Sequence, residues 1–118
     1  GYEYDLTDAI CKVIESRTPY KIVSDRSRAD TVLSGNMGIG VSVLAGDPYT
    51  GRPLENESVV TVNVTWKNLK TGQLLVDNEV VYASSSFSRQ MGQTEDYSIR
   101  RSVNEAAQKV VEQMQIPW

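Results

Sequence analysis

The 118-residue sequence predicts an α+β fold in which two helices pack on one face of a mainly antiparallel sheet of about four strands. Long stretches between residues 31 and 87 alternate apolar and polar side chains, the pattern of strands that are buried on one face. A segment at each end of the chain repeats its apolar residues at helical spacing instead. At this length, with 40% hydrophobic residues, we expect a single domain over residues 1–118.

The first helix is predicted from Asp5 to Ser16. One face of it collects apolar residues at i, i+4, i+7 and i+8, namely Leu6, Ile10, Val13 and Ile14. Pro19 ends the helix, because the residue before a proline is disfavoured in the α conformation. Cys11 lies on the apolar side, so we expect a buried and inert thiol. A short strand from Tyr20 to Ser24 is predicted next.

A longer strand is predicted from Thr31 to Ala45. Its apolar residues share one parity: Leu33, Met37, Ile39, Val41 and Val43. Its polar residues and two glycines share the other: Ser34, Asn36, Gly38, Gly40 and Ser42. A glycine inside a strand usually marks a bulge, a bend or a close backbone approach, and Gly35, Gly38 and Gly40 are three such positions. The segment 46–53, with two prolines and two glycines, is predicted to be a long loop.

The most regular strand is predicted from Val59 to Leu69, where valines and Trp66 alternate with Thr, Asn and Lys. Gly72 in the following turn favours a short hairpin to a third strand, Leu74 to Phe87. The apolar parity changes along this third strand, so we expect a bulge near Asp77–Glu79.

The last helix is predicted from Asp96 to Gln115. Its apolar residues keep helical spacing throughout: Ile99, Val103, Ala106, Ala107, Val110, Val111 and Met114. This stripe would cover one face of the sheet. The other face would then be exposed to solvent and rich in Ser, Thr and Asn, which is typical of a surface that docks onto a partner.

The composition argues against catalysis and metal binding. Histidine is absent and Cys11 is the only cysteine, so the commonest general base and metal ligands are missing. We therefore expect no catalytic residues, no metal and no cofactor. A hydrolase that uses Asp77 or Glu79, which share a strand face, is the least favoured alternative.

The charge pattern excludes further function classes. The net charge of −3 and the pI of about 4.9 give no attraction to nucleic acid or to anionic membrane. The basic residues are scattered, apart from Lys21, Arg26 and Arg28 and the pair Arg100 and Arg101. Were the ligand an anionic amphiphile, the basic residues on predicted loops and turns would meet its phosphates: Arg52, Lys67, Lys70 and Arg89.

Three segments resemble the LptE family: Glu3–Ile10, Ile14–Tyr20 and Ala29–Gly35. The strand from Val60 to Lys67, the turn from Lys70 to Leu75 and the final amphipathic helix keep the order of that family, so the resemblance covers nearly the whole chain. Its A-D-x-x-L-x-G and K-T-G motifs also occur in other envelope lipoproteins, including the LpoB, CsgG and TolB N-terminal groups. An interaction module of that kind, regulating another envelope machine, is the alternative.

The LptE resemblance implies a lipoprotein of the outer membrane, on its periplasmic side. Such a protein plugs the LptD barrel and assists lipopolysaccharide transport to the cell surface. The resemblance implies two features that this sequence lacks, a lipidated cysteine and a strand before the first helix. We therefore interpret the chain as trimmed at its N-terminus, so that its contact with a membrane would be only through the missing lipid anchor. The absent strand would leave a free sheet edge, from which we expect edge-to-edge dimers of the fragment.

Overall fold

The computed structural model describes residues 1–51 and 53–115. In chain order its elements are α1 (Tyr2–Arg17), β1 (Thr31–Gly46), β2 (Pro53–Asn68), β3 (Leu74–Phe87) and α2 (Glu95–Met114). The three strands form one antiparallel sheet in the order β1-β2-β3. The molecule is elongated, with Cα extents of 61 × 23 × 21 Å. The predicted α+β fold is confirmed, with three strands where we expected about four.

Both helices lie on the same face of the sheet and run in the same direction. Near their N-termini the Tyr2 hydroxyl donates to the Asp96 carboxylate at 2.6 Å. Near their C-termini the Gln115 side-chain amide donates to the Arg17 carbonyl at 3.1 Å. The helices are therefore parallel neighbours, with α2 packed on β2 and β3 and α1 beside it.

The core lies between α2 and the inward row of β2. That row is fully buried and consists of Val60, Val62, Val64 and Trp66. The predicted apolar stripe of α2 is buried against it: Ile99, Val103, Ala106, Ala107, Val110, Val111 and Met114. Burying each large apolar side chain contributes about 1.5–3 kcal/mol, so this contact holds the helix on the sheet.

The predicted strand from Tyr20 to Ser24 is wrong, because these residues form no strand. The Tyr20 ring instead packs edge-to-face on Trp66, with ring centroids 5.3 Å apart. Side-chain packing at the end of the sheet therefore anchors this segment.

The start of β2 was also predicted wrongly, since the strand begins at Pro53 and not at Val59. Of the predicted loop 46–53, Gly46 is the last residue of β1 and Pro53 is the first residue of β2. Asn56 and Ser58, which share the inward face of β2 with Val60, are buried polar residues. They interrupt the apolar alternation and so hid the first part of the strand.

The predicted bulge in β3 is confirmed. Asp77 and Asn78 together oppose the single residue Thr65 on β2, between the pairs Val64–Glu79 and Trp66–Val76. Asn78 has a positive φ of 47°, and its N–H donates to the Thr65 hydroxyl at 3.3 Å. The extra residue switches the parity of the strand. Beyond it Val81, Ala83 and Phe87 are buried, while Val80 and Tyr82 face solvent.

One of the three strand glycines marks a close backbone approach, as predicted. A Cβ atom at Gly35 would overlap the carbonyl oxygen of Asn63 on β2. At Gly38 and Gly40 a Cβ would meet nothing within 4 Å. Only Gly35 is therefore required by packing.

The inward row of β1 is only partly covered. Leu33 and Met37 pack against the core as predicted. Ile39, Val41 and Val43 pair with the inward residues of β2, yet they are 39%, 42% and 56% exposed. The edge of β1 is free within the described part of the chain. The structure shows this edge but does not support the expected dimer.

Candidate functional site: the uncovered sheet face

The face of the sheet opposite the helices, here called the outer face, is built from cross-strand rows. From one end these rows are Ser42–Glu57–Ser86, Gly40–Val59–Ser84, Gly38–Thr61–Tyr82 and Asn36–Asn63–Val80. Two further pairs, Ser34–Thr65 and Val32–Lys67, extend it along β1 and β2. Strand alternation sends these side chains away from the helices, so the sequence pattern alone determines the composition of the face.

The helices leave this face open to solvent. The β1 and β3 members from Ser34 to Ser42 and from Val80 to Ser86 are exposed, while those of the central strand β2 from Glu57 to Thr65 are half-buried by their neighbours. Tyr82 is the largest side chain on the face and is 60% exposed. The predicted wet face is therefore present.

The middle of the outer face carries no charge. The rows from Gly40–Val59–Ser84 to Asn36–Asn63–Val80 contain only small, hydroxyl, amide and apolar side chains. Glu57 lies in the row at one end and Lys67 in the row at the other. Such a surface offers hydrogen-bond donors and acceptors at little desolvation cost compared with charged groups.

No catalytic arrangement appears in the part of the chain that the structure describes. No three His, Cys, Asp or Glu residues there lie close enough to hold a metal ion. Asp77 and Glu79, the proposed carboxylate pair, are exposed and are separated by the β3 bulge. The bulge interrupts the strand alternation that would place both side chains on one face.

The four predicted ligand residues do not form one site. Arg52 lies outside the described residues. Lys67 and Lys70 lie at the end of the sheet where β2 turns into β3, and Arg89 follows the last residue of β3 at the opposite end. Twelve positions of β2 separate Asn56, which pairs with Phe87, from Asn68; at about 3.3 Å per residue the two ends are ~40 Å apart.

Two of these basic side chains already have acidic partners. Lys70 Nζ lies 3.1 Å from an Asp30 carboxylate oxygen, and Arg89 lies 3.3 Å from Glu95. The Arg89 guanidinium also lies over the Phe87 ring, 5.9 Å from its centroid. Exposed ion pairs of this kind contribute only about 0–1 kcal/mol, so an anionic ligand can displace the acidic partner at small cost.

A groove between α1 and β1 was not predicted. Its volume is about 830 Å³, and Leu6, Ile10, Leu33 and Met37 lie among its apolar walls. The basic cluster noted in the sequence, Lys21, Arg26 and Arg28, also lines it. That cluster was the sequence signal for the groove, although the groove itself depends on how α1 sits over the sheet.

Cys11 lines the same groove and is only partly buried, so the expected full burial is wrong. Desolvation raises the pKa of its thiol, and the charges of Glu15 and Asp8 raise it further. The thiol is therefore kept protonated at neutral pH, which lowers its reactivity as expected.

The described helices do not include one long and apolar enough to cross a membrane. No curated protein matches the chain. The similarities found are to one family and to several solved structures.

Three solved structures of lipoproteins have a similar fold. Lipoprotein B of Nitrosomonas europaea gives a TM-score of 0.74 at 15% identity, covering 92% of this chain and 74% of that one. A minor lipoprotein of Acinetobacter baumannii gives a TM-score of 0.69 at 18% identity, covering 96% of this chain and 84% of that one. The rare lipoprotein B of Shewanella oneidensis gives a TM-score of 0.66 at 17% identity, covering 97% of this chain and 87% of that one. At these identities the likeness shows the fold.

The sequence also matches a family, which the structural likeness alone does not show. The model of the LptE lipopolysaccharide-assembly family matches residues 1–114, nearly the whole sequence. The match confirms the resemblance drawn from the segments at Glu3–Ile10, Ile14–Tyr20 and Ala29–Gly35, and it favours LptE over the LpoB, CsgG and TolB groups. The chain belongs to the LptE family, whose role is in lipopolysaccharide assembly.

Proposed function

We propose that this protein is a non-catalytic subunit that plugs an LptD-like barrel and assists lipopolysaccharide transport to the cell surface. Its place would be the periplasmic side of the outer membrane, with a lipid anchor in the full-length protein. Family membership supports the role in lipopolysaccharide assembly. The observation that carries the barrel contact is the uncovered outer face with its uncharged middle rows.

The chemistry of that face suits the inside of a barrel. Outer-membrane barrels are apolar outside and polar inside, so a plug needs a surface that hydrogen-bonds without burying unpaired charges. The rows centred on Gly38–Thr61–Tyr82 provide such a surface. Gly38 and Gly40 add no side chain, which lets an opposing wall approach the backbone of β1 closely.

The dimensions suit the same role. A long axis of 61 Å and a cross-section of 23 × 21 Å describe a rod that can lie along a barrel axis. Barrels with about 22 strands have lumens wide enough to be filled by a plug. We expect the outer face to lie parallel to the barrel strands.

For the ligand, we propose that lipopolysaccharide phosphates contact the end of the sheet that carries Arg89, with Arg52, the other arginine predicted from the sequence, as the second contact. The two ends are too far apart for one pair of phosphates. Arginine binds a phosphate through two parallel hydrogen bonds, which favours the arginine end over the Lys67 and Lys70 end.

A pair of double variants tests the ligand site. Arg52→Ala with Arg89→Ala should weaken lipopolysaccharide binding about tenfold or more, since each charge-assisted hydrogen bond contributes about 1.5–3 kcal/mol. Lys67→Ala with Lys70→Ala removes the same charge at the other end and should leave binding nearly unchanged. If instead only the double lysine variant weakens binding, the ligand site lies at the lysine end. If neither double variant weakens binding, neither end of the sheet is the ligand site.

Co-purification tests the partner. The full-length lipoprotein and an LptD barrel, expressed together, should purify as a stable complex. Absence of that complex under conditions where both fold would reject the proposal. Capture of a peptidoglycan synthase or a secretion channel instead would favour an interaction module of the LpoB or CsgG type.

A further inference from the structure

The outer face carries one aromatic side chain near its middle. Tyr82 is the only aromatic residue in the cross-strand rows of that face, and its side chain is 60% exposed. Its row, Gly38–Thr61–Tyr82, is the third of the six that build the face. The two neighbours leave the ring uncovered, because Gly38 has no side chain and Thr61 has a short one. Tyr82 therefore projects from a central region of smaller side chains.

The β3 bulge directs this side chain to the outer face. Val76, which precedes the bulge, is buried in the core. In an unbroken strand Tyr82 would share the parity of Val76 and point to the same side. Because Asp77 and Asn78 together oppose Thr65, the extra residue reverses that parity and turns Tyr82 outward. Bulges frequently re-aim a side chain next to a functional site.

The ring and the hydroxyl of Tyr82 contribute little to the packing of the chain itself. Three other tyrosines pack their rings on an arginine or a tryptophan: Tyr2, Tyr20 and Tyr97. Within residues 1–51 and 53–115 the Tyr82 ring forms no such contact, and its hydroxyl forms no hydrogen bond. The ring leaves apolar surface in water, which is unfavourable for the protein alone. Both parts of this side chain are therefore free to contact another molecule.

A tyrosine in the middle of a contact surface is typical of a binding hot spot. Its rigid ring gives apolar contact, its hydroxyl bonds to a polar group, and smaller contacts around it exclude water. The strand edge beside Tyr82 is less accessible, since the Lys109 ammonium already donates to the Tyr82 carbonyl at 2.6 Å. Such a charge at an edge protects against strand pairing. A partner therefore meets the side chain of Tyr82 and not its backbone.

We propose that Tyr82 is the hot-spot residue of the contact with the barrel wall. Its ring enters a recess between side chains of the wall, and its hydroxyl bonds to a polar group there. Barrel strands point every second side chain into the lumen, so a small residue among larger ones leaves such a recess. The polar lumen supplies the hydrogen-bond partner. This inference rests on the proposed function and adds the residue on which the contact depends.

Competition for a limiting amount of barrel measures the contribution of Tyr82. The full-length parent protein and a full-length variant, each with its own affinity tag, are expressed together with an LptD-like barrel, and their ratio in the purified complexes is determined. Tyr82→Ala should be incorporated about thirtyfold less than the parent, the loss that defines a hot-spot residue. Tyr82→Phe keeps the ring and loses only one hydrogen bond, so its incorporation should fall less than about tenfold.

Tyr97 is the matched control. Its side chain is exposed to a similar extent, 54%, but it lies on α2 and not on the outer face. Tyr97→Ala should compete equally with the parent, after urea unfolding has shown that each variant is folded. A second measurement needs no mutation, namely tyrosine iodination read by mass spectrometry. Complex formation should slow the iodination of Tyr82 about tenfold and leave that of Tyr97 nearly unchanged.

The results that would overturn the inference can be told apart. If the parent protein forms no complex with the barrel, the proposed function is rejected and the role of Tyr82 with it. If the parent forms the complex and Tyr82→Ala competes equally, only the role of Tyr82 is rejected. The same holds if Tyr97→Ala loses as much as Tyr82→Ala, or if Tyr82 is iodinated in the complex as fast as in the free protein.

Discussion

The hydroxyl of Ser98 on α2 lies 2.6 Å from the hydroxyl of Ser58 on β2, inside the interface between helix and sheet. Ser98 also donates to the Ser85 carbonyl at 2.7 Å, so one side chain joins the first turn of α2 to both β2 and β3. Both hydroxyl-bearing residues are completely buried. These bonds tie the start of α2 to β2 and β3.

Replacing Ser98 should therefore destabilise the fold. Ser98→Ala leaves the buried Ser58 hydroxyl and Ser85 carbonyl with poorer partners, and we expect a loss of about 1–3 kcal/mol in the free energy of unfolding. Ser85→Ala is the control, because the Ser85 hydroxyl is buried and has no hydrogen-bond partner among the described residues. Its removal should be neutral or slightly stabilising. Urea unfolding measures both, and equal losses would contradict this account.

The strand glycines should respond in opposite directions to alanine. Gly35→Ala forces a Cβ against the Asn63 carbonyl, which must shift the paired backbones, and we expect a destabilisation of about 1–3 kcal/mol. Gly38→Ala enters open space and restricts the unfolded chain, so it should stabilise by about 0.4–1 kcal/mol. Thermal unfolding distinguishes them. Equal effects at the two positions would show that β1 and β2 are less close at Gly35 than described.

The contact between the helix N-termini should make stability depend on acid pH. A hydrogen bond from Tyr2 lowers the pKa of Asp96, and a bond from Arg100 lowers it further. Because the folded-state pKa is below the ordinary value, Asp96 stabilises the fold above that ordinary value, and the contribution is lost as the pH falls through the folded-state pKa.

Asp96→Asn should accordingly reduce stability at neutral pH and flatten its decline in acid. Tyr2→Phe removes the largest cause of the shift and should give part of the same effect. Denaturant unfolding between neutral and acid pH is the measurement. A decline as steep in Asp96→Asn as in the parent protein would assign the acid sensitivity to other carboxylates.

The sequence was a good guide where burial followed a regular period. The stripe from Ile99 to Met114 and the row from Val60 to Trp66 are each continuous, so the faces they bury were predicted correctly. The bulge at Asp77 and Asn78 was also predicted, because a parity change within one strand requires an extra residue. Local pattern is sufficient for features that are themselves local.

Features that depend on how distant elements meet were missed. The Tyr20–Ser24 segment has strand-like composition but forms no strand, and the inward polar residues Asn56 and Ser58 hid the start of β2. The sequence also cannot show how far α1 covers the inward row of β1, so the exposure of Val43 and the groove were not predicted. The distance of ~40 Å between the lysine end and Arg89 follows only from the strand pairing.

Site-specific photocrosslinking in the full-length protein tests the central claim most directly, namely that the outer face lies against a barrel wall. A photoreactive residue at Tyr82 or Ser84 should crosslink to the LptD-like barrel, while one at Gln108, on the exposed side of α2, should crosslink less. In the same assay Thr61→Arg should weaken complex formation tenfold or more, since an unpaired charge buried in an interface costs about 2–5 kcal/mol. Crosslinks at Gln108 without any at Tyr82 or Ser84, in a protein that still captures the barrel, would contradict it.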